Sequence, residues 1–163
     1  MYVFRIFAMV LMFGLGWMLS ELVTIDLEQP RIITGNAFYG ETVDRLSPSD
    51  IIRQDQIQLF EDRVVIWVDN PRWATFTDTK SMDPVFDTHA YALQIVPERK
   101  DQIAPGDIIS YSTPQGVIIH RVVDIGYDEA GWFAITKGDN NPIRDVEKVR
   151  FEQVQKLLFG IIY

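Results

Sequence analysis

The sequence predicts a mainly β domain with few short helices, preceded by one N-terminal transmembrane helix. Three observations carry that reading. Short runs of β-branched and aromatic residues recur at intervals of about ten residues, separated by Gly, Pro, Asn and Asp clusters, which argues for strands and turns rather than βαβ units. The chain closes on one more apolar run of this kind, residues 157–163. At the other end, residues 6–20 carry no charge, and residues 2–4 extend the apolar run beyond Arg5.

The totals set the limits. A chain of 163 residues can bury one domain well but is short for two. A formal net charge of -8 argues against a nucleic-acid groove, which needs clustered Lys and Arg. The absence of cysteine excludes a disulfide framework, a thiolate metal site and a cysteine nucleophile, and is compatible with an exported domain.

Residues 1–23 form the expected anchor. A membrane-spanning helix needs ~20 apolar residues, with ~17 as the lower limit. The segment reaches that length if Arg5 sits at the interface and extends its side chain to water. Arg5 and the amino terminus lie on one side, with Glu21, Asp26 and Glu28 on the other, so the positive-inside rule places the N-terminus in the cytoplasm and the remainder outside. A cleaved signal peptide is the alternative, but no small-x-small site follows Leu19. A buried core helix is disfavoured because no polar face interrupts the run.

Residues 24–76 read as a membrane-proximal spacer with a hairpin, joined to the β domain. Glu28-Gln29-Pro30 and the segment from Gly35 to Gly40 have linker composition. Ser47-Pro48-Ser49-Asp50 has the pattern of a helix start, with Ser47 as N-cap and Pro48 at the first helical position, for a short helix ending near Gln54. Residues 57–60 and 63–68 flank Glu61-Asp62 as a hairpin, Asp69-Asn70-Pro71 is a turn, and 73–76 is a strand.

Residues 77–163 carry the chemistry. Strands are expected at 91–96, at 108–111 after Pro105-Gly106-Asp107, at 117–123 after Thr113-Pro114-Gln115-Gly116, at 132–136, and at 157–163. Ser81 stands in Thr77-Asp78-Thr79-Lys80-Ser81-Met82-Asp83-Pro84, a turn that Pro84 stiffens. A serine hydroxyl is a weak nucleophile until a base takes its proton. The chain has two histidines. His120 interrupts an apolar strand and shares a face with Ile118 and Val122, whereas His89 reads as a surface loop residue and not a ligand. Asp139 and Asp145 follow in a turn-rich segment, and either could orient the imidazole. Each residue has a plain structural alternative: serines and aspartates make turns, and a core histidine bonds a backbone carbonyl.

Ser81-Met82-Asp83-Pro84, Gly106-Asp107-Ile108-Ile109, Ile119-His120-Arg121-Val122 and Thr136-Lys137-Gly138-Asp139-Asn140-Asn141 occur in the order found in type I signal peptidases. The chain resembles their archaeal and endoplasmic-reticulum branch, in which histidine replaces the lysine of the bacterial enzymes. The resemblance covers residues 77–163 and implies a signal-peptidase-like β-domain, a fold shared with LexA-type repressors. It further implies a membrane-anchored serine endopeptidase that removes signal peptides from exported preproteins after small residues. Ser81 would be the nucleophile, His120 the base and Asp145 the triad aspartate, with Asp139 in support. The Thr79 hydroxyl and the Ser81 backbone N–H would serve the oxyanion. No cofactor, metal or nucleic acid is implied. The partners are exported precursors and the lipid bilayer of the cell membrane, crossed once.

Three features depart from the family. The 57 residues between Val23 and Ser81 make a longer spacer than usual, His89-Ala90 stands where Gly-Asp is usual, and no second hydrophobic helix closes the chain. Two other readings suit these departures: a catalytically silent membrane-anchored β domain that binds peptides, or a processing protease with one dedicated substrate.

Overall fold

The computed structural model describes residues 46–163, and the expected anchor and linker at residues 1–45 lie outside the described residues. Among the described residues the protein is mainly β, with antiparallel sheets and three single-turn 3-10 segments, and no helix is long and apolar enough to cross a membrane. The described residues fall into two compact units, Gln58–Val65 in one and the rest in the other.

The first unit is the tip of the expected hairpin. Strands β1 (Ile57–Leu59) and β2 (Val64–Ile66) pair with each other. The Phe60 N–H donates to the Arg63 carbonyl at 2.9 Å, and the Arg63 guanidinium lies 5.0 Å over the Phe60 ring.

The second unit is a seven-stranded antiparallel sheet built from β3 (Arg72–Thr75), β4 (Tyr91–Ile95), β5 (Ile108–Thr113), β6 (Gly116–Asp128), β7 (Gly131–Lys137), β8 (Val149–Arg150) and β9 (Val154–Ile162). The spatial order is β3-β4-β9-β5-β6-β7-β8, so the C-terminal strand is inserted between β4 and β5. That central place explains its apolar sequence, since a strand with neighbours on both edges buries most of its length. The period-two pattern of β7 is regular: Trp132, Ala134 and Thr136 are buried while the residues between them are half-buried. Two cores result. One gathers Ile109, Tyr111, Val122, Trp132, Ala134 and Leu157; the other gathers Met82, Phe86, Ala90, Ala92, Ile108 and Leu158.

The helix expected from Ser47 does not form. Instead of capping its own helix, Ser49 donates its backbone N–H to Asp107 Oδ1 at 2.7 Å and its hydroxyl to Oδ2 at 3.2 Å. Asp107 is fully buried and also accepts the Ala104 N–H at 2.8 Å, so a long-range carboxylate outcompetes the local cap. Gly106 is needed at this crossing. Its φ is +107°, and a Cβ there would run into the Ser47 carbonyl.

The other expected elements form with shifted ends. β6 is the largest departure, running to Asp128 rather than 123, because Gly126 admits the Phe133 ring of β7 across the sheet. β8 is only two residues long and carries no alternation by which it could be read from sequence.

Candidate active site

The loop from β3 to β4 is held by its apolar residues. Phe76 stacks on Phe86 with centroids 3.9 Å apart, and Met82 and Phe86 sink into the second core. Ser81 is the half-buried residue just before Met82. Lys80 has φ +57°, a left-handed turn that reverses the chain immediately ahead of the serine. The Asp83–Pro84 bond is cis.

A second loop, the one leaving β7, latches onto this turn. The Asn140 N–H donates to the Ser81 carbonyl at 2.9 Å, the Asn140 side-chain amide donates to the Lys80 carbonyl at 3.0 Å, and the Asp139 N–H points at the Met82 sulfur at 3.4 Å. Gly138 makes the approach possible, since a Cβ there would stand 2.7 Å from the Ser81 carbonyl oxygen. The Gly138-Asp139-Asn140-Asn141 motif is therefore the clamp on the serine turn as well as a turn in its own right, closed by the Asn141 N–H on the Gly138 carbonyl at 3.0 Å.

His120 lies on β6 and is 7% exposed. Its Nδ1 is 2.7 Å from Asp145 Oδ2, and Nε2 has no hydrogen-bond partner among the described residues. An ionised carboxylate only accepts, so Nδ1 carries the proton and the neutral ring presents a lone pair at Nε2. Asp145 Oδ2 also receives the Thr136 hydroxyl at 2.6 Å and the Tyr111 hydroxyl at 3.0 Å. The Asp145 backbone N–H donates to the Thr136 carbonyl at 2.8 Å, which fixes the carboxylate over β7. Burial pushes the Asp145 carboxyl up, but the hydrogen bonds from Thr136, His120 and Tyr111 outweigh it and hold the group below the usual aspartate range. Burial raises the Tyr111 phenol, which stays a donor.

Asp139 does not touch His120. It forms a two-pronged ion pair with Arg121, Oδ1 accepting Nε at 2.8 Å and Oδ2 accepting Nη2 at 2.7 Å, while Arg121 Nη1 donates to the Gly106 carbonyl at 2.8 Å. The two carboxylates are thus sorted by strand alternation: His120 faces one side of β6 with Asp145, and Arg121 faces the other with Asp139.

The Ser81 hydroxyl lies 3.1 Å from the Thr79 hydroxyl, and no hydrogen bond joins it to His120. The Ser81 N–H also points at Thr79 Oγ1, at 3.5 Å, so both candidate oxyanion donors sit together. A small cleft of about 30 Å³ opens here, lined by Thr77, Thr79, Ser81, Met82, Phe86 and Ile119. Ile119 precedes His120 and faces the opposite side of the sheet. The Ser81 turn packs on the Ile119 side of β6 and the His120–Asp145 pair lies on the other side; pairing of β6 with β7 begins only at Arg121, so the edge from Gly116 to His120 has no β7 partner. On the Asp145 side a wider groove of about 340 Å³ is lined by Tyr111, Ile118, Ile143, Asp145, Val146 and Gln153.

His89 is an exposed loop residue whose backbone N–H donates to Asp87. Among the described residues no group of three or more His, Asp or Glu side chains could hold a metal ion. Reading the sequence missed Tyr111, Thr136 and Arg121. Arg121 had a signal, since a guanidinium in an apolar strand needs a carboxylate; the two hydroxyls had none beyond the inward phase of their strands.

These features define the class: an antiparallel β protein in which a strand histidine pairs with a loop aspartate and the same loop clamps a serine turn. No protein-family model matches the chain, and no curated protein or solved structure matches it.

Proposed function

We propose that the chain is a membrane-anchored serine endopeptidase resembling signal peptidase, with a signal-peptidase-like β-domain outside the cytoplasm that cleaves exported precursors after small residues. The observation that carries this reading is the 2.7 Å contact of His120 Nδ1 with Asp145, whose loop also clamps the Ser81 turn through Asn140. The tautomer it fixes is the one that can accept a proton from a serine hydroxyl.

In the proposed reaction the Ser81 oxygen attacks the scissile carbonyl carbon as its proton passes to His120 Nε2. The oxyanion is met by the Thr79 hydroxyl and the Ser81 N–H, each such donor worth about 3 kcal/mol. Collapse of the tetrahedral species breaks the C–N bond, and the imidazolium returns the proton to the leaving amine. Water, deprotonated by His120, then hydrolyses the acyl-serine. The unpaired edge of β6 can take an extended substrate by strand addition, and the small cleft beside Ser81 can receive a short side chain.

One observation favours a silent peptide-binding domain: Ser81 pairs with Thr79 rather than with His120. Catalytic hydrogen bonds are often open in the free enzyme and close on substrate, which is the basis for preferring the enzyme. The test is incubation of the full chain in detergent with a preprotein bearing an Ala-x-Ala site, beside Ser81→Ala. Cleavage by the wild type and none by a variant of equal melting temperature supports the peptidase. Binding without cleavage by both selects the silent domain.

A further inference from the structure

We propose that Tyr111 and Thr136 are positioning residues for the His120–Asp145 pair, two buried hydroxyls dedicated to keeping one carboxylate aimed at the imidazole. The inference rests on the peptidase reading for its kinetic consequences, and on geometry alone for its structural ones.

Three donors converge on a single oxygen, Asp145 Oδ2: Thr136 Oγ1 at 2.6 Å, His120 Nδ1 at 2.7 Å and Tyr111 OH at 3.0 Å. The two hydroxyls also lie 3.1 Å from each other, closing a triangle on the carboxylate. Thr136 has no exposed surface and Tyr111 is 3% exposed, and both hydroxyls find their partners within the protein. They come from β5 and β7, the strands flanking β6, so the carboxylate is fixed from both sides of the histidine strand. Among the described residues His120 is the one basic side chain that pairs with Asp145; Arg144, Glu147 and Lys148 line the open groove without pairing to it.

The arrangement has a chemical use. A carboxylate already accepting two neutral hydrogen bonds is a poor proton acceptor, so it supports the imidazolium without taking its proton. The donors also restrict the rotamers of Asp145, so that one carboxylate oxygen stays against Nδ1. Valine keeps the shape of Thr136 and removes its hydroxyl; phenylalanine does the same for Tyr111.

The test uses the full chain in detergent, with Tyr111→Phe, Thr136→Val, the double variant, and Thr136→Ser as the variant that keeps the donor. Two readouts are taken: preprotein turnover across pH, and the ¹³C titration of the Asp145 carboxyl. A hydrogen bond to a charged group is worth roughly 1.5–3 kcal/mol, so each single variant is expected to lose about tenfold or more in kcat with KM little changed. The Asp145 titration is expected to move up in pH in both, furthest in the double variant, while Thr136→Ser stays near wild type. A double variant that melts like wild type, with unchanged Asp145 titration and unchanged kcat, overturns the proposal. If the variants melt too low to assay, Thr136→Ser decides: loss of kcat and a shifted titration in a folded protein that keeps the hydroxyl also overturns it. A wild type that cleaves nothing refutes the peptidase reading, while the carboxyl titration still tests the positioning.

Discussion

Replacing each acidic residue of the Asp139–Asp145 segment by its amide should separate architecture from chemistry. Asp139→Asn removes half the charge of an ion pair whose side chains are 19% and 14% exposed, leaving Arg121 facing a neutral amide. Breaking a fully buried pair this way costs about 3–5 kcal/mol; with this much solvent contact about 2–3 kcal/mol is the reasoned figure. In a chain of this size each kcal/mol lowers Tm by about 3 °C, so a fall of about 6–9 °C is expected. Turnover should drop by no more than about tenfold, because the clamp on Ser81 runs through backbone groups and Asn140, which survive. Asp145→Asn should do the reverse. Its amide oxygen can take the place of Oδ2 and go on accepting from Tyr111, Thr136 and Nδ1, so Tm changes little, but it carries no charge to stabilise the imidazolium that forms. In the serine-protease template that exchange lowers turnover by ~10⁴. The assay is cleavage of one Ala-x-Ala preprotein by the full chain, alongside thermal melts. Asp139→Asn dead at an unchanged Tm, with Asp145→Asn active, would refute both role assignments.

Three further outcomes follow from particular contacts. Gly106→Ala should lower Tm by at least about 3 °C, since a left-handed φ alone costs about 1–3 kcal/mol in a residue with a side chain and the new Cβ meets the Ser47 carbonyl; a melt equal to wild type would show that the 46–56 segment does not pack there. Gly138→Ala should displace the Ser81 carbonyl and cut turnover by about 10²-fold, the effect of an ångström-scale misplacement, and unchanged kinetics would disconnect that loop from the nucleophile. Acid stability should also carry the mark of Asp145. Its pKa is depressed in the folded state, so its contribution is present above the unfolded value of about 4 and is lost as pH falls through the lower folded value. In melts taken below pH 4, Asp145→Asn should therefore lose less stability than wild type, and parallel curves would contradict the depressed value.

The strands were legible because their period-two patterns and bounding turns are local. Residues 132–136 read as a strand from their own composition, although only the structure shows that Trp132, Ala134 and Thr136 form its buried face. The Ser47 helix was misread because the cap pattern is equally local, whereas the group that defeated it, Asp107, lies 58 residues away. The site divides in the same manner. His120 and Asp145 were found because chain order and spacing resemble a known family, and the structure brings them to 2.7 Å. Asp139 was expected to accept hydrogen bonds from its own turn, and it pairs with Arg121 instead. No spacing rule distinguishes those outcomes. Only the alternation of His120 and Arg121 on either face of β6 sends the two aspartates to different partners.

The pairing of Ser81 with Thr79 in the free protein bears on how such a site would start its reaction. The exposed Thr79 hydroxyl and the half-buried Ser81 hydroxyl hold each other for about 0.5–1.5 kcal/mol net, an energy that a bound substrate can readily replace. Releasing the pair frees two groups at once. On the peptidase reading the Ser81 hydroxyl is then free to give up its proton, and the Thr79 hydroxyl is free to meet the oxygen that gains charge when the serine attacks. The Ser81 N–H, which points at Thr79 Oγ1 at 3.5 Å, is released by the same change. On the peptidase reading, the contact that occupies the nucleophile is therefore also the one that holds both oxyanion donors, and a substrate that breaks it releases all three groups together.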